Sequence, residues 1–262
     1  MKHKHLITLV VMLFSFTFLS KAQFDSVKYD KEAFLIGTLD DYMGYQRTFT
    51  AGSDSSNYQK VDIYNTKESI RLALFIDSLF SSEYPDIFLK LHQPSGTIKM
   101  YSSSLSEIID KYYDYKPFTG MTTIQGDTFF YGLIKNNAFK TDKEKLSFLL
   151  GVYLRYERNG TISIANSESK AALCAKMLKE FNCKDIEYTI IKGIPGIDKI
   201  LFKPSEIIQE LIDEANKLNN YISNNNTDNI KFTTNGTKYI LIEPDPIIIR
   251  SFSKIIPPTI IN

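Results

Sequence analysis

The chain repeats itself, and this duplication limits the folds available to it more than any other feature. Three phrases recur in the same order. "FLIG" at 34–37 returns as "FLLG" at 148–151, and "VDIYNT" at 61–66 returns as "ISIANS" at 162–167. "SEII" at 106–109 returns unchanged at 205–208. Similar phrases that recur in a fixed order indicate that one structural unit is present twice.

Each copy is predicted to contain the element order αββαββα. The first helix of copy two begins with Thr141 and Glu144, which have the spacing of a capping box. A hairpin follows, and in copy two it turns at "NG", the dipeptide most typical of a tight hairpin. In copy one the corresponding strands lie near "QRTFTA" and "QKVDIYN". A second helix, two further strands (86–91 with 97–101, and 185–191 with 198–203) and a third helix complete each copy.

These elements predict an α+β fold of two tandem αββαββα repeats about a pseudo-twofold axis. Repeat 1 is assigned to 23–115, a linker to 116–140 and repeat 2 to 141–222. Residues 223–262 are assigned to a C-terminal hairpin and an extended apolar tail. A tail rich in isoleucine is expected to pack on the body of the protein or on a partner.

The N-terminus has the pattern of an export signal. Lys2 and Lys4 precede the apolar run "LITLVVMLFSFTFL", and small residues follow it. We predict that residues 1–22 are a signal peptide cleaved after Ala22, which places the protein in the secreted or periplasmic/cell-envelope compartment. No later segment has the length and apolar character that a membrane span needs.

Charge and histidine content narrow the functions available to the exported chain. Cleavage leaves 28 basic and 30 acidic residues, a net charge of −2. Nucleic-acid-binding proteins usually carry a basic excess, so this balance argues against a nucleic-acid partner. His92 becomes the only histidine, which excludes a zinc site built on several histidines.

The first helix of each copy carries a motif that resembles a known family. The matching stretches are "LIGTLDDY" at 35–42 and "LLGVYLRY" at 149–156. Together with the duplicated element order over roughly 30–220, they resemble the LAGLIDADG homing endonuclease family. This resemblance implies that the two helices pack on each other through Gly37 and Gly151. A glycine inside a helix costs about 1 kcal/mol relative to alanine, so two at equivalent positions favour a close helix contact.

The resemblance also implies where a metal site would lie. In the family, an acidic residue at the eighth motif position of each copy holds divalent metal, but here those positions are Tyr42 and Tyr156. A neutral phenol does not replace a carboxylate as a ligand for a hard cation. The sequence therefore favours an exported, non-enzymatic binding or structural protein without a cofactor, whose partner is an unknown protein or glycan.

A rebuilt acidic site is the alternative. Asp40 and Asp41 directly precede Tyr42, and Glu157 directly follows Tyr156. Two carboxylates that meet between the copies, Asp41 and Glu157, could bind Mg²⁺. The alternative hypothesis is therefore an exported metal-dependent nuclease or phosphodiesterase with Asp40, Asp41 and Glu157 as its catalytic residues.

The two cysteines, Cys174 and Cys183, are predicted not to form a disulfide with each other. A helix over 174–181 separates them by about 13 Å at 1.5 Å per residue. A disulfide needs Cα atoms within about 7 Å. The equivalent residues of copy one are Ala73 and Ser82, so we expect Cys174 to be a small core residue.

Overall fold

The computed structural model describes residues 24–49, 60–92, 97–122, 128–167, 169–193, 195–224, 230–231 and 240–241. These residues form an α+β fold with the duplicated architecture that the sequence predicts. The helices within them are α1 (Lys31–Thr38), α2 (Lys67–Phe80), α3 (Ser103–Asp110), α4 (Asp142–Tyr156), α5 (Lys170–Glu180) and α6 (Glu206–Asn224).

The strands pair only in antiparallel fashion within the described residues. They are β1 (Tyr45–Phe49), β2 (Lys60–Tyr64), β3 (Phe88–His92), β4 (Thr97–Tyr101), β5 (Tyr113–Thr122), β6 (Thr128–Ile134), β7 (Glu157–Arg158), β8 (Thr161–Ala165), β9 (Lys184–Ile191), β10 (Ile197–Lys203), β11 (Ile230–Lys231) and β12 (Ile240–Leu241). β11 pairs with β12.

Local signals set the start of each central helix. The Asp30 side chain accepts a hydrogen bond from Ala33 N at the start of α1. Thr141 and Glu144 form a reciprocal capping box at the start of α4, as the sequence predicts. These side chains satisfy backbone N–H groups that have no partner within the first helical turn.

Copy two follows its predicted topology. Its sheet has the order β7-β8-β10-β9, and β7 and β8 are joined at Asn159 and Gly160. Both residues have positive φ, 54° and 77°, as this tight turn requires. One face of the sheet is buried through alternate residues, including Ile162, Ile164 and Ile200, and α5 packs near β9 and β10.

Copy one departs from this pattern at its first strand. Its sheet β2-β4-β3 matches β8-β10-β9, but β1 pairs with β6 rather than with β2. The predicted hairpin of the β1 and β2 regions is therefore wrong. The reason is that β5 and β6 form a hairpin in the region assigned to the linker, and the edge of β6 provides a partner for β1. The sequence analysis does not predict these two strands.

The core runs between the two copies. α1 contributes Ala33, Phe34, Leu35 and Ile36, each fully buried, and α4 contributes Phe148 to the same cluster. Among the described residues, none of the helices combines the length and apolar character needed to cross a membrane. Residues 1–22, to which the signal peptide is assigned, lie outside the described residues, as does the apolar tail after Leu241.

Both cysteines are free thiols, in agreement with the sequence analysis. Cys174 is fully buried on α5, and its counterpart Ala73 is fully buried on α2. Cys183 is half-buried and lies between α5 and β9. The duplicated core thus accommodates either a methyl group or a thiol at this position.

Candidate functional site

The two central helices approach each other at their glycines. A Cβ atom added to Gly37 would overlap the carbonyl oxygen of Phe148 and lie 2.9 Å from Val152 N. A Cβ atom added to Gly151 would overlap the carbonyl oxygen of Phe34 and lie 3.0 Å from Thr38 N. Backbone-to-backbone contact on both sides leaves no space for a side chain at either glycine. This contact brings the C-terminal ends of α1 and α4 together.

A buried lysine caps the C-terminal end of α1. Lys170, at the start of α5, has no exposed surface, and its Nζ donates to Leu39 O at 2.6 Å and Ile36 O at 3.0 Å. The Tyr156 hydroxyl donates to the same Leu39 carbonyl at 2.5 Å. Carbonyl groups at the end of a helix have no partner within it and carry partial negative charge. A cation from copy two therefore neutralises the helix end of copy one.

Asp41 lies beside this lysine and is itself fully buried. Its Oδ2 accepts a hydrogen bond from Ser167 Oγ at 2.8 Å, and its Oδ1 has no hydrogen-bond partner among the described residues. Burial raises the pKa of Asp41 to about 6, against the opposing attraction of Lys170 and the hydrogen bond from Ser167. Burial also lowers the pKa of Lys170, which the charge on Asp41 partly offsets.

The end of α4 makes the reciprocal contact with copy one. Arg155 Nη1 lies 3.2 Å from Asp62 Oδ2 on β2, and Arg155 Nη2 donates to Ile63 O at 2.9 Å. The guanidinium also lies over the Tyr64 ring, 4.9 Å from its centroid. Burial raises the pKa of the Asp62 carboxyl, and the Arg155 charge opposes this effect. Asp40 N also donates to Asp62 Oδ1. The buried Asp62 carboxylate is therefore paired with a cation on one oxygen and with a backbone donor on the other.

The acidic residues of the alternative hypothesis have separate partners. Asp41 accepts from Ser167, whereas Glu157 Oε1 accepts from Gly160 N at 2.5 Å within its own hairpin turn. Asp40 Oδ1 accepts from Tyr42 N at 3.3 Å. Within the described ranges, no group of three or more His, Cys, Asp or Glu residues has the geometry to hold a metal ion.

Four residues that dominate this region were missed by sequence reasoning: Asp62, Arg155, Ser167 and Lys170. The sequence does indicate that Lys170 is buried. It precedes Cys174, Met177 and Phe181 at helical spacing and therefore lies on the buried face of α5. The repeat itself also draws attention to Arg155. It occupies the position in copy two that Asp41 occupies in copy one, at the same offset of 114 residues as the two glycines.

The exposed faces of the two sheets differ in charge. On copy one, Lys90 of β3 pairs directly with Lys99 of β4, on the face opposite the buried Ile98 and Met100. On copy two, the corresponding pair is Thr189 with Lys199. Two neighbouring lysines give copy one a locally basic face. Like charges directly opposite each other are unfavourable, so an anion bound at this face would relieve their repulsion.

Two solved structures are similar to this chain at the level of fold. One, from a study of mesophilic variants of the homing endonuclease I-DmoI, covers 72% of this chain and 95% of its own, with a TM-score of 0.44 and 10% sequence identity. The other is I-DmoI in complex with DNA and calcium, which covers 70% and 85% of the two chains, with a TM-score of 0.41 and 12% identity. No protein-family model and no curated protein sequence matches the chain.

Proposed function

We propose that this chain is an exported, non-enzymatic binding or structural protein built on a LAGLIDADG-like scaffold. The observation that carries the proposal is the buried ammonium of Lys170 at the end of α1. It donates to backbone carbonyl groups of copy one, and it shares the Leu39 carbonyl with the hydroxyl of Tyr156, one of the two residues at the positions where the resemblance implies a metal-binding carboxylate. Export rests on the signal-peptide pattern of residues 1–22.

The chemistry of this region does not fit a divalent cation. Mg²⁺ and Ca²⁺ require several oxygen ligands that are free to coordinate. Here one Asp41 oxygen accepts from Ser167, both Asp62 oxygens have donors, and Lys170 adds a positive charge beside Asp41. These carboxylates therefore fit a role in the contact between the copies and do not fit a divalent metal site.

Cleavage and metal binding test the proposal together. Purified protein lacking residues 1–22 is incubated with supercoiled plasmid and Mg²⁺ or Mn²⁺, and its melting temperature is measured over the same metal titration. We expect intact plasmid and an unchanged melting temperature. Metal-dependent cleavage that is lost in Asp41→Asn but retained in the control Glu187→Gln, an exposed acid on β9, would overturn the proposal in favour of the nuclease alternative.

The basic face of copy one favours a second candidate function, binding of a nucleic acid without cleavage. Lys90 and Lys99 form a cross-strand pair that an anionic backbone would neutralise. Fluorescence anisotropy with a labelled DNA duplex at increasing salt measures this binding. If the candidate is correct, Lys90→Glu weakens binding at least tenfold, whereas Lys199→Glu on copy two has a smaller effect. Absence of binding by the unsubstituted protein at low salt rejects it.

A further inference from the structure

A cavity of about 330 Å³ lies at the N-terminal end of α4. It opens between the end of α3, the segment that joins β6 to α4, and the first turn of α4. The 15 residues of α4 separate its two ends by about 21 Å at 1.5 Å per residue. The cavity is therefore separate from the contact that buries Lys170 and Asp41. Its volume is near the lower end of the usual range for small-molecule pockets, about 300–1,000 Å³.

Three lysines line the cavity: Lys111, Lys135 and Lys140. The Lys135 ammonium is held in place, because its Nζ donates to the carbonyl oxygen of Lys111 at 2.7 Å. That bond uses one of its three N–H groups. Asp114 Oδ1 lies 4.0 Å from the same Nζ, but its side chain is 73% exposed, so this pair is weak. In the part of the chain that the structure describes, Lys111 and Lys140 form no ion pair.

Glu144 is the acidic residue that lines the cavity, and its carboxylate already has donors. Its Oε2 accepts from Lys140 N at 2.8 Å, from Thr141 N at 2.8 Å and from the Thr141 hydroxyl at 3.0 Å. Burial acts to raise the pKa of Glu144, but the hydrogen bonds from Thr141 and Lys140 together hold that pKa below its usual value. The lining side chains therefore carry three positive charges and one negative charge, which favours an anionic ligand.

An aromatic wall gives the cavity a fixed shape. The Tyr112 ring stacks on Phe139 with centroids 5.6 Å apart, and Phe139 packs on Phe148 of α4 at 4.6 Å. Phe139 and Phe148 are both buried. The Tyr112 hydroxyl donates to Glu32 Oε2 at 3.1 Å, which fixes the other end of the ring. A ligand at this wall would meet a preformed surface, and preformed sites lose less affinity to ordering on binding.

We propose that this cavity binds a small phosphate ester. The lysines contact its phosphate group, and its organic part lies against Tyr112 and Asn137, which also line the cavity. A lysine ammonium is a compact point charge with three donors, and it binds phosphate well. The cavity is larger than a phosphate ion needs, which leaves space for the organic part. This inference goes beyond the proposed function, because it holds whether or not the chain binds a macromolecular partner.

A ligand in this cavity would join two parts of the chain. Lys111 ends α3 of copy one, whereas Lys140 directly precedes the N-cap of α4 in copy two. The two residues approach each other only in the folded protein, so the unfolded chain lacks the site. A ligand that binds only the folded state raises the melting temperature as its concentration increases above Kd.

Calorimetric titration and thermal unfolding of the mature chain test the proposal with inorganic phosphate and glucose 6-phosphate. Glucose and chloride are the controls, and ionic strength is held constant because screening alone changes electrostatic stability. We expect saturable binding of both phosphates, tighter for glucose 6-phosphate, and a rise in melting temperature that glucose and chloride do not cause. No saturation at millimolar concentrations, or an equal response to chloride, would overturn the proposal. Equal affinity for the two phosphates would overturn the contact with an organic part.

A pair of matched variants assigns the binding to this cavity. Lys111→Gln with Lys140→Gln removes two exposed ammonium groups and leaves Lys135 in place at the end of α3. Lys179→Gln with Lys184→Gln makes the same change in net charge at exposed positions of copy two. We expect the first variant to bind glucose 6-phosphate at least tenfold more weakly and the second to bind it normally. Circular dichroism and urea midpoints check that both variants fold. An equal loss in both would show that net charge drives the binding, and would overturn the site.

Discussion

At the scale of single residues, the most informative feature is a lysine without solvent exposure. Lys170 binds the carbonyl groups of Ile36 and Leu39 and lies beside the buried Asp41. Removing one member of a buried charged group generally costs about 3–5 kcal/mol, because the other charge is left unpaired. These residues therefore couple the end of α1 to the start of α5, and their ionisation affects the stability of the whole contact.

Asp41 predicts a specific dependence of stability on pH. Its folded pKa of about 6 is higher than the usual value of about 3.9, so the folded protein binds a proton more tightly between these pH values. The contribution of Asp41 to the free energy of unfolding therefore decreases as pH rises from 4 to 7. Asp41 contributes about 2–3 kcal/mol to this decrease, at 1.36 kcal/mol per pKa unit.

Asp41→Asn tests this dependence because asparagine has a similar shape but no ionisable group. Urea unfolding of the two proteins at several pH values should show that the variant loses about 2–3 kcal/mol less stability between pH 4 and 7. Parallel pH profiles for the two proteins would show that Asp41 does not carry the raised pKa.

At the scale of elements, the α1–α4 pair depends on the lack of a side chain at Gly37 and Gly151. Alanine favours helix over glycine by about 1 kcal/mol, so propensity alone predicts that Gly37→Ala stabilises the protein. Overlap with the carbonyl oxygen of Phe148 opposes this gain, and overpacking typically costs about 1–3 kcal/mol or more. Backbone atoms cannot rotate away as a side chain can, so we expect a net loss of about 2 kcal/mol.

Gly160→Ala is the matched control for this substitution. Gly160 has a positive φ of 77°, but a Cβ atom there would meet no heavy atom within 4 Å. Its substitution isolates the backbone cost, about 1 kcal/mol. Chemical denaturation of both variants measures the difference, and a Gly37→Ala protein as stable as the unsubstituted one would contradict the close contact.

The elements of copy two were predictable from sequence because their signals are local. The capping box at Thr141 and the Asn159–Gly160 turn each act within a few residues. The pairing of β1 with β6 was not predictable in this way, because it joins strands about 85 residues apart and competes with a plausible hairpin to β2. Local propensity sets the strands, whereas packing of the whole chain selects their partners.

At the scale of the molecule, each copy contacts the other through a charged residue at the end of its central helix, and the two residues carry opposite charges. Asp41 of copy one contacts Ser167 of copy two, and Arg155 of copy two contacts Asp62 of copy one. Asp41 and Arg155 occupy equivalent positions at the ends of the two central helices, so two identical copies would place like charges at this contact. The sequences of the repeats have therefore become complementary, and this favours pairing of unlike copies within one chain.

Complementary copies predict that the molecule unfolds as one cooperative unit. The chain contains no tryptophan, so a single tryptophan can report on each copy separately. Phe88→Trp on β3 and Phe202→Trp on β10 replace half-buried aromatic residues in copy one and copy two. Urea transitions followed by fluorescence should have coincident midpoints when each is compared with the circular dichroism of the same variant.

The same probes test whether the buried ion pair couples the copies. Arg155→Met leaves Asp62 buried without its cation, and it should shift both probes to lower urea concentration by equal amounts. The double variant Asp62→Asn with Arg155→Met should recover part of that loss, because no uncompensated charge remains. Separate midpoints for the two probes in the Arg155-containing protein would show instead that each copy folds on its own, and that the contact between them adds little.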